Sequence, residues 1–139
     1  MGIDLPKDYR PSADEPFMND RQKEFFRRKL QAWREELLRD SEETLDNLKE
    51  GGMTVPDISD RASAEADKAL ELRTRDRMRK VISKIDTALA KIEDGTYGYC
   101  EETGEPIGLE RLIARPIATL SIEAQERHER MEKTYNDDD

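Results

Sequence analysis

Two carboxylates lie three residues apart in the segment from Asp57 to Asp60, just before Ala62. Such a segment suits a helix start, because aspartate and serine side chains accept hydrogen bonds from free N–H groups and place negative charge at the positive end of the helix dipole. The alternative is a tip whose carboxylates contact a basic residue or a metal-bearing centre in a partner. The local sequence favours the helix start, whereas a position at the far end of a helical arm favours the tip.

A second pattern has the spacing of a four-cysteine zinc site, C-x2-C followed by C-x2-C. The four positions of this frame are held by Cys100, Thr103, Ser121 and Ala124. Zinc needs four donors in a tetrahedral array, and alanine has none. Neither the neighbouring acids nor His128 makes a convincing replacement site, so we expect no zinc here. We therefore expect packing to hold this part of the chain together.

The only cysteine of the chain, Cys100, cannot form an internal disulfide. It is either a small buried apolar side chain or an oxidisable thiol. In the second case, we expect the neighbouring Glu101 and Glu102 to raise the pKa of the thiol and to slow its reaction.

Basic residues cluster in the second half of the chain, at Arg73, Arg75, Arg77, Arg79, Lys80, Lys84, Arg111 and Arg115. This set is either a solvated helix face balanced by acids or a site for an anion or a nucleotide. The sequence has no Gly-rich phosphate loop and no nucleophile–His–acid set. The chain has a single histidine, His128, near its C-terminus, so a catalytic site is hard to assemble from its residues. We therefore expect a protein that is not an enzyme.

The composition limits both the fold and the partners. Hydrophobic residues make up 35% of the 139 residues and charged residues 41%, which is enough to line a seam between paired helices but not to fill a thick core. A net charge of −9 argues against non-specific DNA binding, although it suits approach to a protein with a basic opening. The first residues have no apolar signal core, and no stretch is long enough to span a membrane, so we expect a cytoplasmic location.

The apolar periodicity predicts two long helices. The first runs from about Asp20 to Lys49, after an Asn19 cap with Gln22 placed as in a capping box, and ends at Gly51-Gly52. Its apolar stripe comprises Phe26, Leu30, Trp33, Leu37, Leu38, Leu45 and Leu48. The second helix runs from near Asp60 to Gly95. Its apolar residues are Leu70, Met78, Val81, Ile85, Leu89 and Ile92.

Two such helices joined by a short turn must pair antiparallel, because neither buries its stripe alone. The predicted fold is mainly α: a coiled-coil hairpin over 19–95 with its tip near 51–60. An N-terminal arm over 1–18 packs on the globular end through Tyr9, Phe17 and Met18. Residues 96–136 form a degenerate zinc-finger-like subdomain with a C-terminal helix, and 137–139 an acidic tail.

Turn residues in the C-terminal part predict a small hairpin about Thr103-Gly104. Ser121 is predicted to cap a last helix that ends near Tyr135. The core of this part is predicted to consist of Tyr97, Tyr99, Ile107, Leu109, Leu112, Ile113, Ile117, Leu120 and Ile122.

Taken together, these residues resemble the DksA/TraR family of bacterial RNA polymerase secondary-channel regulators, over nearly the whole chain from Phe17 onward. The resemblance is carried by Asp57, Asp60 and Ala62, and by Leu72–Arg77, Ile92–Glu101, Gly104, Ile107, Arg111–Leu112 and Ala114–Pro116. It implies a globular end bearing a coiled coil that enters the polymerase secondary channel. The tip aspartates would reach the region of the catalytic centre and change the stability of promoter open complexes, commonly with the alarmone ppGpp in the stringent response.

The resemblance also implies roles for single residues. Lys84 and Arg115 match basic positions that contact ppGpp in the family, whereas the third such position is Gln125, which has no charge. Arg130 or Lys133, on the next turns, would be partial substitutes. With only Cys100 kept, the chain looks like the zinc-independent, cysteine-poor branch. The expected partners are RNA polymerase and ppGpp, with no sequence-specific DNA, no membrane and no stably bound cofactor, and the expected state is a monomer.

Two alternatives belong to other classes. A transcript-cleavage factor of the Gre type would use the same channel, with tip carboxylates that hold a second Mg²⁺. A structural coiled-coil adaptor would have no effect on polymerase.

Overall fold

The computed structural model describes residues 3–50 and 58–137, without the side chains of residues 44, 47–50, 58–61 and 135–137. Four helices follow one another: α1 (Asp20–Glu50), α2 (Ile58–Asp94), α3 (Leu109–Ala114) and α4 (Ile122–Asp137). In these ranges the β structure is limited to one antiparallel bridge between Tyr99 and Pro106. The predicted mainly helical fold with a long helical hairpin is confirmed. None of the described helices is long and apolar enough to cross a membrane.

The chain divides into two compact units, which we call the base (residues 1–30 and 87–139) and the arm (residues 31–86). Helices α1 and α2 run antiparallel in both. In the base, Arg27 Nη2 lies 3.1 Å from Glu93 Oε1, and in the arm Arg34 Nε donates to Asp86 Oδ1 over 2.7 Å. The predicted seam is largely confirmed: Phe26, Leu30, Ile85 and Ile92 are buried, and Trp33, Leu37, Leu45, Met78, Val81 and Leu89 are half-buried.

Two predicted seam residues are exposed: Leu38 at 38% and Leu70 at 56% of their full surface. Leu37 and Leu38 are adjacent, so they point about 100° apart on the helix, and a single partner helix covers only one of them. A pair of helices has one contact line, and residues beside that line stay in solvent. The prediction for Leu48 lies outside the described side chains.

The start of α1 differs from the predicted capping box. Asn19 Oδ1 accepts a hydrogen bond from the Gln22 N–H over 2.8 Å, as predicted. However, Gln22 Oε1 accepts from the N–H of Met18 over 2.8 Å and not from that of Asn19, whose N–H donates to the Pro16 carbonyl. Met18 has φ +54°, which turns its N–H toward the helix. The fully buried Gln22 also donates through Nε2 to the Ser12 carbonyl, 3.2 Å away, so one side chain joins the N-terminal segment to α1.

The N-terminal segment packs on the base through its aromatic residues, as predicted. The Tyr9 ring meets Phe25 edge to face at 6.1 Å, and the Phe17 ring meets Tyr99 at 5.4 Å. Phe17 also limits residue 98: Gly98 has φ +91°, and a Cβ there would lie 3.2 Å from Phe17 Cζ. Glycine is therefore needed both for the backbone conformation and for the close approach.

The base core is built around Tyr97, which packs on Phe26 with ring centroids 5.4 Å apart. Its hydroxyl donates to the Pro116 carbonyl over 2.9 Å, and burial raises the pKa of the phenol. Of the predicted core, Tyr97, Ile107 and Leu112 are buried, whereas Tyr99, Leu109, Ile113, Ile117 and Leu120 are half-buried. The prediction for Ile122 is wrong, since it is 51% exposed. It is the first residue of α4, where Ser121 and Ala124 take the inward positions.

The short helix α3 was not predicted. Six residues are too few for a helical period, but Gly108 with φ +108° begins it and Pro116 follows shortly after its end. Lys29 on α1 donates through Nζ to the carbonyl of Ile113 over 2.7 Å, which fixes α3 against α1 within the base.

Candidate functional site

The predicted acidic tip is described only in part. Asp57 lies outside the described residues, and Asp60 lies in the first turn of α2, which begins at Ile58. Ala62 is exposed. Asp57 thus directly precedes a helix, as both interpretations of the segment require, and the role of the two carboxylates stays a prediction.

The turn that carries Cys100 forms as the sequence predicts. The Cys100 N–H donates to the Glu105 carbonyl over 2.8 Å, and the Gly104 N–H donates back to the Cys100 carbonyl over 2.8 Å. Gly104 has φ +75°, which closes the loop about Thr103-Gly104. The Glu101 N–H donates to the Thr119 carbonyl over 2.9 Å and so joins this turn to the segment that precedes α4.

The four positions of the zinc-type frame come together at the start of α4. Ser121 caps the helix, as predicted, because its Oγ accepts a hydrogen bond from the Ala124 N–H over 3.2 Å. Cys100, Ser121 and Ala124 are all buried. Thr103 is exposed as a residue but hydrogen-bonds the thiol of Cys100. The cluster holds one sulfur, two hydroxyls and one methyl group.

The expectation that neighbouring acids raise the pKa of Cys100 is wrong. Burial does raise the pKa of the thiol, but hydrogen bonds from Ser121 and Thr103, through backbone and side chain, outweigh burial and lower it to about 6. These donors stabilise the thiolate. The carboxylates of Glu101 and Glu102 are bound to other side chains.

Those other side chains come from α2 and α4. Lys91 Nζ donates to Glu101 Oε1 over 2.6 Å. Glu102 lies 3.5 Å from Arg127 Nη2 through one oxygen and contacts the His128 imidazole through the other. These contacts were not predicted, because the sequence places the partners 10 to 26 residues apart with no helical register between them. They tie the Cys100 turn to both neighbouring helices of the base.

The predicted basic positions fall into different groups. Arg111 donates through Nε to the Leu120 carbonyl over 3.0 Å, which makes it a structural residue of the base. Arg115 is exposed at the C-terminal cap of α3, and Lys84 is exposed on α2. Lys84 belongs to the arm and Arg115 to the base, so a shared anion site stays a prediction. Gln125 donates through Nε2 to Glu129 over 3.2 Å.

Comparison with known proteins gives two family matches. Residues 22–92 match the family described as DnaK suppressor protein DksA, N-terminal domain, and residues 95–130 match the prokaryotic dksA/traR C4-type zinc finger. The chain is 67% identical over 131 residues to the RNA polymerase-binding transcription factor DksA of Caulobacter vibrioides, covering 94% of this chain and 92% of the relative.

More distant relatives agree in sequence and in fold. The chain is 43% identical over 125 residues to the RNA polymerase-binding transcription factor DksA of Escherichia coli K12, covering 90% of this chain and 83% of the relative. The structure of transcription factor DksA2 from Pseudomonas aeruginosa matches with a TM-score of 0.80 and 42% identity, covering 88% of this chain and 93% of that chain.

A C4-type zinc finger implies four cysteine ligands for Zn²⁺. The match covers the frame, but the side chains present there do not fit the metal, since Cys100 is its one thiol and Ala124 has no donor atom. Nor do the described residues contain a group of three or more His, Cys, Asp or Glu side chains that could hold a metal ion. The backbone of the zinc-finger frame is therefore kept, whereas its ligand set is not.

Proposed function

The chain belongs to the DksA/TraR family, and on that premise we propose that it regulates transcription by binding bacterial RNA polymerase. The observation that carries the proposal is the 67% identity, over 94% of the chain, to a relative named for this activity. The long paired helices α1 and α2 support it, because the fold matches that of a transcription factor of this family. The regulator acts in the cytoplasm, as a monomer, and without catalysis of its own.

In this proposal the arm enters the polymerase secondary channel. The end of the arm that carries Asp57, Asp60 and Ala62 approaches the catalytic centre and alters the lifetime of promoter open complexes. Support comes from Asp60, which lies in the first turn of α2 within the arm.

We further propose that ppGpp strengthens the effect, as part of the stringent response, through Lys84 and Arg115. Both side chains are exposed, and neither forms an ion pair in the described part of the chain. Gln125 supplies no third charge. The missing third charge is expected to weaken ppGpp binding by about 1–3 kcal/mol relative to a site with three charge-assisted contacts.

The proposed regulator works without zinc. Support comes from the base, where the frame around Cys100 is held by hydrogen bonds, by the Lys91–Glu101 pair and by the contacts of Glu102 with α4. The buried packing of Phe26, Tyr97 and Leu112 adds to these contacts.

The lifetime of open complexes at a ribosomal RNA promoter tests the proposal. Wild type is compared with Asp60→Asn, with and without ppGpp, and with Asp67→Asn as a matched control on the exposed surface of α2. We expect wild type and Asp67→Asn to shorten lifetimes, and Asp60→Asn to bind polymerase without doing so. If Asp60→Asn binds and shortens lifetimes as well as wild type, the tip mechanism is wrong. Shortened RNA from a stalled elongation complex would instead identify a cleavage factor.

A further inference from the structure

One face of the arm carries a continuous row of positive charge. Arg73, Arg77, Lys80 and Lys84 follow one another at spacings of four, three and four residues on α2. This spacing places all four on the same side of a helix. All four side chains are exposed. At 1.5 Å per residue the row extends over about 16 Å, or three helical turns. We call these four residues the basic stripe.

No ion pair in the described part of the arm neutralises the stripe. The ion pairs that the described part of the arm contains are Arg34–Asp86 and Arg79–Asp76, and no member of the stripe takes part in them. Asp76, the acid nearest to the stripe in sequence, lies 3.6 Å from Arg79 Nη1 and so faces a cation outside the row. Arg77 donates to the hydroxyl of Thr74 over 3.3 Å. The four side chains of the stripe are therefore exposed and have no ion-pair partner among the described residues.

Charge on the arm is separated between its two helices. Residues 70–86 of α2 contain six Lys and Arg against three acids, whereas residues 31–50 of α1 contain three Lys and Arg against seven acids. In a chain of net charge −9, a local excess of cations on one helix departs from the overall balance. Such a separation orients a charged body as it approaches a partner and penalises contact with like charge.

We propose that the basic stripe docks on an acidic protein surface of the polymerase, formed by a row of carboxylates of matching length. The partner's identity rests on the function proposed above, whereas its chemistry rests on the stripe. Nucleic acid fits less well, because the acidic α1 lies on the same arm and the net charge of the chain repels a phosphate backbone. Carboxylates on a folded surface allow contact along one face without bringing α1 close to a second anion.

The test uses two charge reversals on the stripe, Arg73→Glu with Lys80→Glu, in the full chain. Lys84 is left unchanged because it also belongs to the proposed ppGpp site. The matched control is Lys7→Glu with Arg39→Glu, which changes the net charge equally at exposed side chains that form no ion pair among the described residues. The readout is the Kd for core polymerase free of nucleic acid, at several salt concentrations, with circular dichroism to confirm the helix content.

At low salt we expect the Kd of the stripe variant to rise about tenfold or more, and the Kd of the control variant to rise less than about threefold. The difference between the two Kd values should become smaller as the salt concentration rises. Lys80→Arg is expected to keep wild-type affinity. A stripe variant that binds no worse than the control overturns the proposal, as does a loss seen only with polymerase that carries RNA or DNA. Failure of the wild-type chain to bind polymerase at all would instead overturn the proposed function.

Discussion

Lys91 on α2 and Glu101 in the turn after it are joined by a 2.6 Å hydrogen bond between Nζ and Oε1, beside Cys100, the one cysteine of the four-position frame. Zinc in a four-cysteine frame would hold this turn against α4. Here the turn is held on one side by Lys91 and on the other by the contacts of Glu102 with Arg127 and His128.

The first prediction concerns this pair. A double-mutant cycle with Lys91→Met and Glu101→Gln is expected to give a coupling free energy of about 0.5–1 kcal/mol, since Lys91 is largely covered and Glu101 is exposed. Urea unfolding at low and high salt measures it, and the coupling should fall as salt rises. The control cycle is Arg79→Met with Asp76→Asn, an exposed pair on α2 for which we expect almost no coupling. Equal values for the two pairs would mean that Lys91 does not hold the turn.

The second prediction is a pH dependence that belongs to Cys100. The folded chain lowers the pKa of this thiol from 9.0 to about 6. Because the folded state binds the proton less tightly than the unfolded state, the free energy of unfolding is expected to rise from about pH 6 to about pH 9. Below that window the contribution is lost.

Unfolding of wild type and of Cys100→Ala across this pH range isolates the effect, because the alanine variant lacks the titrating group. Thiolate absorbance near 240 nm, followed during acidification of the folded protein, gives the pKa directly. A wild-type curve parallel to that of the alanine variant, together with a thiol that titrates near pH 9, would contradict the prediction.

The third prediction concerns metal. If the base is held by packing and hydrogen bonds, a chelator should leave the thermal unfolding midpoint unchanged, whereas chelators unfold small zinc domains. Restoring the frame by Thr103→Cys, Ser121→Cys and Ala124→Cys is expected to create a zinc site, because the backbone already brings these positions to Cys100. Metal analysis should find about one zinc per chain in the variant. A tightly bound zinc in the wild-type protein would refute the zinc-independent proposal.

The fourth prediction compares a buried and an exposed apolar residue. Phe26 is fully buried and packs on Tyr97, so Phe26→Ala should lower the free energy of unfolding by about 3–5 kcal/mol. Leu70, although part of the predicted apolar stripe, is exposed, and Leu70→Ala should cost less than about 0.5 kcal/mol. Chemical denaturation of both variants provides the measurement. A large effect at Leu70 would show that it is covered by another part of the chain or by a second copy.

The fifth prediction concerns Gln22. Gln22→Ala removes the acceptor of the Met18 N–H and the donor to Ser12, so we expect a loss of about 2–3 kcal/mol in unfolding free energy. Gln22→Glu keeps the acceptor but loses the donor, and its buried carboxylate would face the Ser12 carbonyl and Glu15, so it should not restore the stability. Gln31→Ala, at an exposed position of α1, serves as the control. If both alanine variants unfold alike, the link between the N-terminal segment and α1 is not important for stability.

The two long helices were predictable because their apolar residues repeat with helical spacing. The cap of α4 was predictable because it depends on the side chain of one residue, Ser121. The pKa of Cys100 was not predictable, since it depends on how two separated segments, the turn at Thr103 and the cap at Ser121, direct their donors. The Gln22 bond to Met18 was missed because the capping-box pattern assigns the Gln22 side chain to the Asn19 N–H, whereas Met18, with a positive φ, donates its own N–H instead. Exposure of Leu38 and Leu70 reflects the single contact line of two helices, which periodicity alone does not locate.

Cys100 is the only thiol of the chain and is just 3% exposed, so reagents reach it only when the base opens. The rate at which Cys100 is alkylated under native conditions therefore measures local unfolding of the base. When reclosing is faster than the reaction, the ratio of this rate to that of the unfolded chain gives the free energy of opening at a single atom. Because the other three positions of the frame carry no thiol, Cys100 is an internal reporter that needs no added label.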